Sequence, residues 1–219
     1  MHILITGGAG FIGSHLAEYH LKKGDKIHVV DNLSTGSTDN ILPFSKNPNF
    51  RFDKEDILLW NGLEKAVAWA DRVYHMAAVV GVFRVLEEPI KVLSTNIAGC
   101  ERLLRCAYSS GWNPQIIIAS SAEVYGNGLP CKRSCYYRKN SKHDETHMNL
   151  VNSIGEHLIQ DFQEDMESMV GSSSIMRWNY SISKLADEAF GLSYSKKFGM
   201  NVICDNRIKY SSLAKICNL

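Results

Sequence analysis

No apolar run in this chain reaches the roughly 18 residues of a helical membrane span. Its first residues lead straight into a strand-like segment, where a signal peptide would carry a basic start and a longer apolar stretch. Neither a membrane protein nor a secreted one is expected. An excess of one charge is also missing. The 24 Lys and Arg against 23 Asp and Glu leave +1, so nothing in the balance calls for a nucleic acid or an anionic membrane as partner. Without a secretory context, the six cysteines, Cys100, Cys106, Cys131, Cys135, Cys204 and Cys217, are expected as reduced thiols rather than a disulfide framework. The 219 residues, 45% hydrophobic and 21% charged, suit a cytoplasmic enzyme domain with one full core, or one domain plus a small appendage.

The N-terminus carries the first functional signal. His2-Ile3-Leu4-Ile5 is a short apolar run of strand type. Ser14 to Lys23 repeats its apolar positions at helical spacing and stops at Gly24. Thr6-Gly7-Gly8-Ala9-Gly10-Phe11-Ile12-Gly13 therefore lies at a strand-to-helix turn. Gly7 permits the tight turn, Gly10 lets backbone approach a pyrophosphate, and Gly13 lets helix and strand pack closely, while the helix N-terminus directs free N–H groups at the anion. A second strand, Lys26 to Val30, ends at Asp31, 18 residues beyond Gly13. A carboxylate there binds the adenosine ribose hydroxyls and repels a 2′-phosphate, which favours NAD over NADP.

Strands and helices then alternate, which predicts an α/β fold with a doubly wound parallel sheet. A strand around Phe50-Arg51-Phe52 leads to Asp56-Ile57. A helix is expected over Leu63 to Trp69, a strand over Arg72 to Met76 opening into Ala77-Ala78, and a long helix from Pro89 to Ser109. Gln115 to Ala119 is apolar enough for a central strand. It delivers Ser120 to Gly126 to the carboxyl edge of the sheet, where such folds bind ligands. Further on, Tyr180 and Lys184 stand four apart on a predicted helix and share a face. An ammonium beside a phenol stabilises phenolate, which gives an acid/base pair.

On Thr6 to His15, Asp31-Asn32-Leu33, Asp56-Ile57, His75 to Ala78, Asn96 to Gly99, Ser120 to Gly126 and Tyr180 to Glu188, the chain resembles the extended short-chain dehydrogenase/reductases that modify nucleotide sugars. These pieces cover about residues 1–127 and 162–203. Ala77 to Val82, Phe162 to Asp165 and Arg177 to Tyr180 look most like UDP-glucose 4-epimerase and UDP-glucuronate decarboxylase relatives. The resemblance implies a Rossmann domain binding NAD through Gly7, Gly10, Phe11, Ile12, Gly13, Asp31, Asn32, Asp56, Ile57, Ala77, Ala78, Asn96, Tyr180 and Lys184. It implies catalysis by Tyr180 with Lys184, a hydrogen bond from Ser121 (Ser120 being its alternative) to the reacting oxygen, a UDP-sugar substrate and a homodimer. Glu123 matches the acid/base glutamate of the decarboxylases and some dehydratases; many 4-epimerases carry glutamate here too. Its alternative is a carboxylate bonded to nearby backbone at the strand end.

Two segments depart from the family. Some 35 residues, Asn127 to Asp161, intervene where about ten are usual, and read as a surface excursion ending in a short helix near Ile154 to Phe162. Inside it Cys131, Cys135, His143 and His147 are suitable zinc ligands, but the seven residues between the pairs are too few for the usual finger spacing, so no metal site is expected. Its basic stretch from Lys132 to Lys139 reads as solvated loop, with contact to nucleotide phosphates as the alternative. After Met200 to Cys204, residues Asp205 to Leu213 do not reproduce the family's Arg-x-Phe/Tyr-Asn-x-x-Gly-Pro segment. Most of the substrate lobe is therefore expected to be absent. Two classes follow: a nucleotide-sugar epimerase, decarboxylase or dehydratase, or a catalytically silent NAD-binding protein.

Overall fold

In the computed structural model, residues 1–125, 129–130, 160–161 and 170–205 are described. Six parallel strands form one sheet: β1 (His2–Thr6), β2 (Lys26–Val30), β3 (Phe50–Asp53), β4 (Arg72–His75), β5 (Gln115–Ala119) and, last in the chain, β8 (Val202–Asp205). Their order is β3-β2-β1-β4-β5-β8. The helices are α1 (Phe11–Lys22), α2 (Leu63–Trp69), α3 (Val82–Glu87), α4 (Pro89–Ser109) and α5 (Asn179–Phe198). This is the doubly wound Rossmann arrangement that the alternation of elements predicts.

The alternation of side chains along each strand divides the core in two. Leu4, Val73, Ile116 and Ile118 face α2 and α4, where they meet Leu63, Val67, Leu103 and Leu104. Ile3, Ile5, Tyr74 and Ile117 face the other way, onto Leu16 and Ala17 of α1. Both faces of the central strands are buried, which is why β5 is apolar throughout.

The direction in which successive strands are added reverses between β1 and β4. β1 winds toward β2 on one side and β4 toward β5 on the other, so their C-terminal loops diverge and leave a crevice, the usual ligand position in this topology. Close packing at the turn depends on glycine. Gly7 has φ +70°, and a Cβ there would stand 2.6 Å from the backbone nitrogen of Ala77. A Cβ on Gly13 would stand 2.5 Å from the carbonyl of Gly7. A side chain at either position would force β1, β4 and α1 apart.

The excursion over 127–161 is described only where Leu129–Pro130 (β6) pairs antiparallel with Gln160–Asp161 (β7). Gln160–Asp161 is therefore strand where a helical turn was expected, because pairing between the two ends of the excursion replaces local helical bonding. The rest of that predicted helix, the zinc candidates Cys131, Cys135, His143 and His147, the basic stretch, Phe162 to Asp165 and the segment after Asp205 lie outside the described residues. Cys100, Cys106 and Cys204 are free thiols. Among the described residues no helix is long and apolar enough to cross a membrane.

Candidate active site

A cavity of about 920 Å³ opens along the C-terminal edge of the sheet. Gly7, Gly10, Phe11, Ile12 and Gly13 line it beside β1, Asp31 and Asn32 beyond β2, Ile57 beyond β3, and Ala77 and Ala78 beyond β4. Ser121 and Glu123 reach it from beyond β5, and Tyr180 and Lys184 from α5. Asp31 and Ser121 follow strands three positions apart in the sheet, a span of roughly 14 Å at ordinary strand spacing.

At the glycine turn, Gly10 is the N-cap of α1 and no side chain caps the helix. Its first N–H groups and positive dipole end thus face the cavity. Asp31 is fixed by two backbone donors: Ala9 N–H to Oδ2 at 3.0 Å and Leu33 N–H to Oδ1 at 2.8 Å. Each carboxylate oxygen keeps a second lone pair, so the orientation is set without using up its capacity for a diol.

Two predicted cofactor residues lie behind the wall. Asp56 Oδ1 accepts from Leu58 N–H, and Asp56 Oδ2 accepts from Asn32 at 2.9 Å, so the carboxylate orients a lining residue instead of lining the cavity. Asn96 is 1% exposed. Its Oδ1 accepts from Val79 N–H at 2.7 Å, and its Nδ2 donates to the Val79 carbonyl and, at 3.0 Å, to Ser183 Oγ. This one amide joins the loop after β4 to α5. The loop's Val79, with Val85 and Val92, packs against the ring of Tyr180.

Around the acid/base pair, Ser120 donates through a short hydrogen bond to Glu188 on α5, while Ser121, 2% exposed, accepts from Glu123 N–H at 3.3 Å and also lines the cavity. Glu123 is exposed at the rim. Lys184 is buried and donates to Asp187 Oδ2 at 3.0 Å. Burial opposes its charge, but attraction to Asp187 and then Tyr180 outweighs it, and the ammonium holds its proton above the usual lysine range. Behind it His75 Nδ1 meets Thr6 Oγ1 at 2.8 Å, and that hydroxyl oxygen also accepts from Ala77 N–H at 3.4 Å. Burial, with repulsion from Lys184, drives the His75 pKa down to about 3, so the ring is neutral.

Sequence reasoning assigned no part to Thr6 and His75, to Asp187, or to the lining residues Glu55, Thr95 and Arg177. Only Asp187 left a readable signal, an acid one helical turn beyond a lysine. Residues that fit a dinucleotide are in place: an uncapped helix N-terminus at a glycine turn, an oriented carboxylate beyond β2, and an acid/base pair at the distant end of one cavity.

Comparison with known proteins gives a consistent picture. The GDP-mannose 4,6-dehydratase family model matches residues 4–140. The UDP-N-acetyl-alpha-D-glucosaminuronate decarboxylase of Bacillus cytotoxicus is 33% identical over 201 residues, which is 88% of this chain and 49% of the relative. The UDP-glucuronic acid decarboxylase 4 of Arabidopsis thaliana is 32% identical over 71% of this chain and 31% of its own length. Among solved structures, the dTDP-glucose 4,6-dehydratase DesIV of Streptomyces venezuelae, with NAD bound, superposes with a TM-score of 0.72 at 25% identity, covering 93% of this chain and 54% of that one. The UDP-glucuronic acid 4-epimerase of Bacillus cereus, in complex with UDP-glucuronic acid and NAD, gives 0.70 at 27% identity, covering 93% and 55%. The chain thus spans about half the length of these structures and half or less of the curated relatives.

Proposed function

The chain belongs to the GDP-mannose 4,6-dehydratase family of extended short-chain dehydrogenase/reductases, and from that premise we propose that residues 1–219 form the NAD-binding domain of a nucleotide-sugar epimerase, decarboxylase or dehydratase. The substrate is a UDP-sugar, oxidised transiently at the sugar 4-position. One observation carries this reading: a single cavity holds the glycine turn and Asp31 toward one end and Ser121, Glu123, Tyr180 and Lys184 toward the other. The decarboxylase relatives and the NAD-bound neighbours support it.

NAD, when bound, supplies a hydride acceptor that later returns the hydride. The amides of Gly10 to Gly13 would hold its pyrophosphate and Asp31 its adenosine ribose. Tyr180, as a phenolate stabilised by Lys184, takes the proton of the sugar 4-hydroxyl and becomes a phenol, and Ser121 hydrogen-bonds the reacting oxygen. Glu123, on the rim, is placed to exchange a proton with a neighbouring sugar carbon, the step that separates decarboxylation or dehydration from epimerisation. A second reading, a catalytically silent NAD-binding protein, is favoured by the chain's spanning about half the length of its relatives.

Titration calorimetry with NAD and NADH tests the cofactor site. Binding is expected in the unmodified chain and strong loss in Gly10→Val, which fills the approach to the helix N-terminus. With a UDP-sugar added to the NAD-loaded chain, slow appearance of reduced-nicotinamide absorbance, absent in Tyr180→Phe, identifies the oxidative step. No binding of either cofactor form by the folded chain would overturn the proposal.

A further inference from the structure

The acid/base pair has a third member. Tyr180, Lys184 and Asp187 stand at i, i+4 and i+7 on α5 and so share one face of the helix. The first two line the cavity and Asp187 does not. Asp187 is 0% exposed, and its Oδ2 accepts from Lys184 Nζ at 3.0 Å. Its other oxygen, Oδ1, has no hydrogen-bond partner among the described residues. Burial raises the Asp187 carboxyl above its ordinary range, opposed first by the charge and hydrogen bond of Lys184 and then by the Cys100 thiol, and the bond to Lys184 is also the anchor of the lysine.

We propose that Asp187 is the positioning residue of the site, a buried counter-ion that holds the Lys184 ammonium in place and charged behind Tyr180. This role rests on the function proposed above, but it can be tested on Lys184 itself.

The surroundings leave this task to Asp187. From β4, His75 faces Lys184 as a neutral ring, its pKa lowered to about 3 by burial and then by Lys184 itself. From α4, Cys100 approaches as a thiol whose ionisation burial strongly opposes, and from β8 Cys204 is pushed up to about 12 for the same reason. On α5, Glu188 is directed to Ser120. Tyr180 attracts the Lys184 ammonium too, but less than Asp187 does. A buried ammonium without a counter-charge loses its proton rather than remain ionised. A neutral amine could not stabilise the phenolate at Tyr180. One N–H of Lys184 is held by Asp187, which leaves two further donors on an ammonium that lines the cavity.

The test is a nuclear magnetic resonance titration of the chain with lysine labelled at Cε, the Lys184 signal being assigned by its loss in Lys184→Arg. In the unmodified protein Lys184 should keep its proton after exposed lysines have begun to lose theirs. Asp187→Asn should lower its proton affinity at least about tenfold, and Asp187→Glu should restore most of the difference. Lys184 titrating ahead of exposed lysines in the unmodified chain would overturn the proposal even if every variant fails to fold. An unchanged Lys184 titration in folded Asp187→Asn would do so too. Because neither readout involves NAD or a sugar, loss of the enzymatic reading would leave them unaffected, and their failure would leave NAD binding unaffected.

Discussion

At the scale of single residues, the site combines carboxylates and rings whose backbone or neighbours decide their state. Asp31 is the simplest. Fixed by Ala9 and Leu33 amides, it is the carboxylate proposed to meet the adenosine ribose, where it would repel a 2′-phosphate. The chain should bind NAD(H) in preference to NADP(H), and Asp31→Ala should narrow the gap; calorimetry showing tighter NADP binding to the unmodified chain would defeat the assignment. His75 makes a prediction about acid. Its ring is held neutral, with a folded pKa of about 3 against an ordinary value of 6.5. The unfolded chain therefore takes up a proton that the folded chain refuses between those two values, so stability is full above about pH 6.5 and falls as pH drops toward 3. At 1.36 kcal/mol per unit the loss at the acid end approaches roughly 5 kcal/mol, an appreciable part of a domain's 5–15 kcal/mol margin. Urea denaturation at a series of pH values should show this slope in the unmodified protein and a shallower one in His75→Asn, which keeps a partner for Thr6. Equal slopes in the two proteins would remove His75 as the cause.

At the scale of elements, the sequence announces most of what the structure contains. The helical spacing of α4, the uninterrupted apolar run of β5 and the glycine turn before α1 are local patterns, and local patterns are what a sequence displays. The lysine at i+4 from a tyrosine is equally local, and α5 brings both side chains to the cavity. Roles that depend on contacts between elements are hidden. Asn96 resembles a cofactor residue by motif, yet its amide is spent on Val79 and Ser183, 17 and 87 residues away. His75 is unremarkable until Thr6 and Lys184 close around it, and Gln160–Asp161 becomes strand only through Leu129–Pro130. The tertiary role of Asn96 is measurable. Asn96→Leu should leave the Val79 N–H and carbonyl unsatisfied in a buried place, at about 1–3 kcal/mol per group. It should also loosen the loop that packs on Tyr180. Chemical denaturation should therefore register a loss of at least about 2 kcal/mol, accompanied by faster amide exchange over Val79 to Val85. A stability within experimental error of the unmodified chain would show that the amide does not connect these elements.

At the scale of the whole molecule, chemistry and positioning are separable. In the proposed reaction Ser121, Tyr180 and Lys184, which line one cavity, supply proton transfer. Hydride transfer also needs the reacting carbon held in line with the nicotinamide, and such fixed geometry accounts for roughly 7–11 kcal/mol of a barrier. The wall described here is built from the carboxyl edge of the sheet and from α5, and among the described residues it carries two cationic side chains, Arg177 and Lys184. Lys184 is committed to Asp187, which leaves Arg177 to meet a sugar nucleotide bearing at least two negative charges on its diphosphate. One exposed guanidinium gives weak attraction and little orientation. The relatives are about twice as long as this chain, so their ligands can be held by parts that have no counterpart in these 219 residues. The expected outcome is NAD binding with very slow turnover of UDP-sugars by the 219-residue chain. Joining it to the remaining half of a relative should raise turnover by orders of magnitude, and Tyr180→Phe in the joined protein should abolish the gain. Steady-state rates for the two proteins decide the matter: if the 219-residue chain alone matches the joined protein, the wall described here positions the sugar unaided and the separation of chemistry from positioning fails.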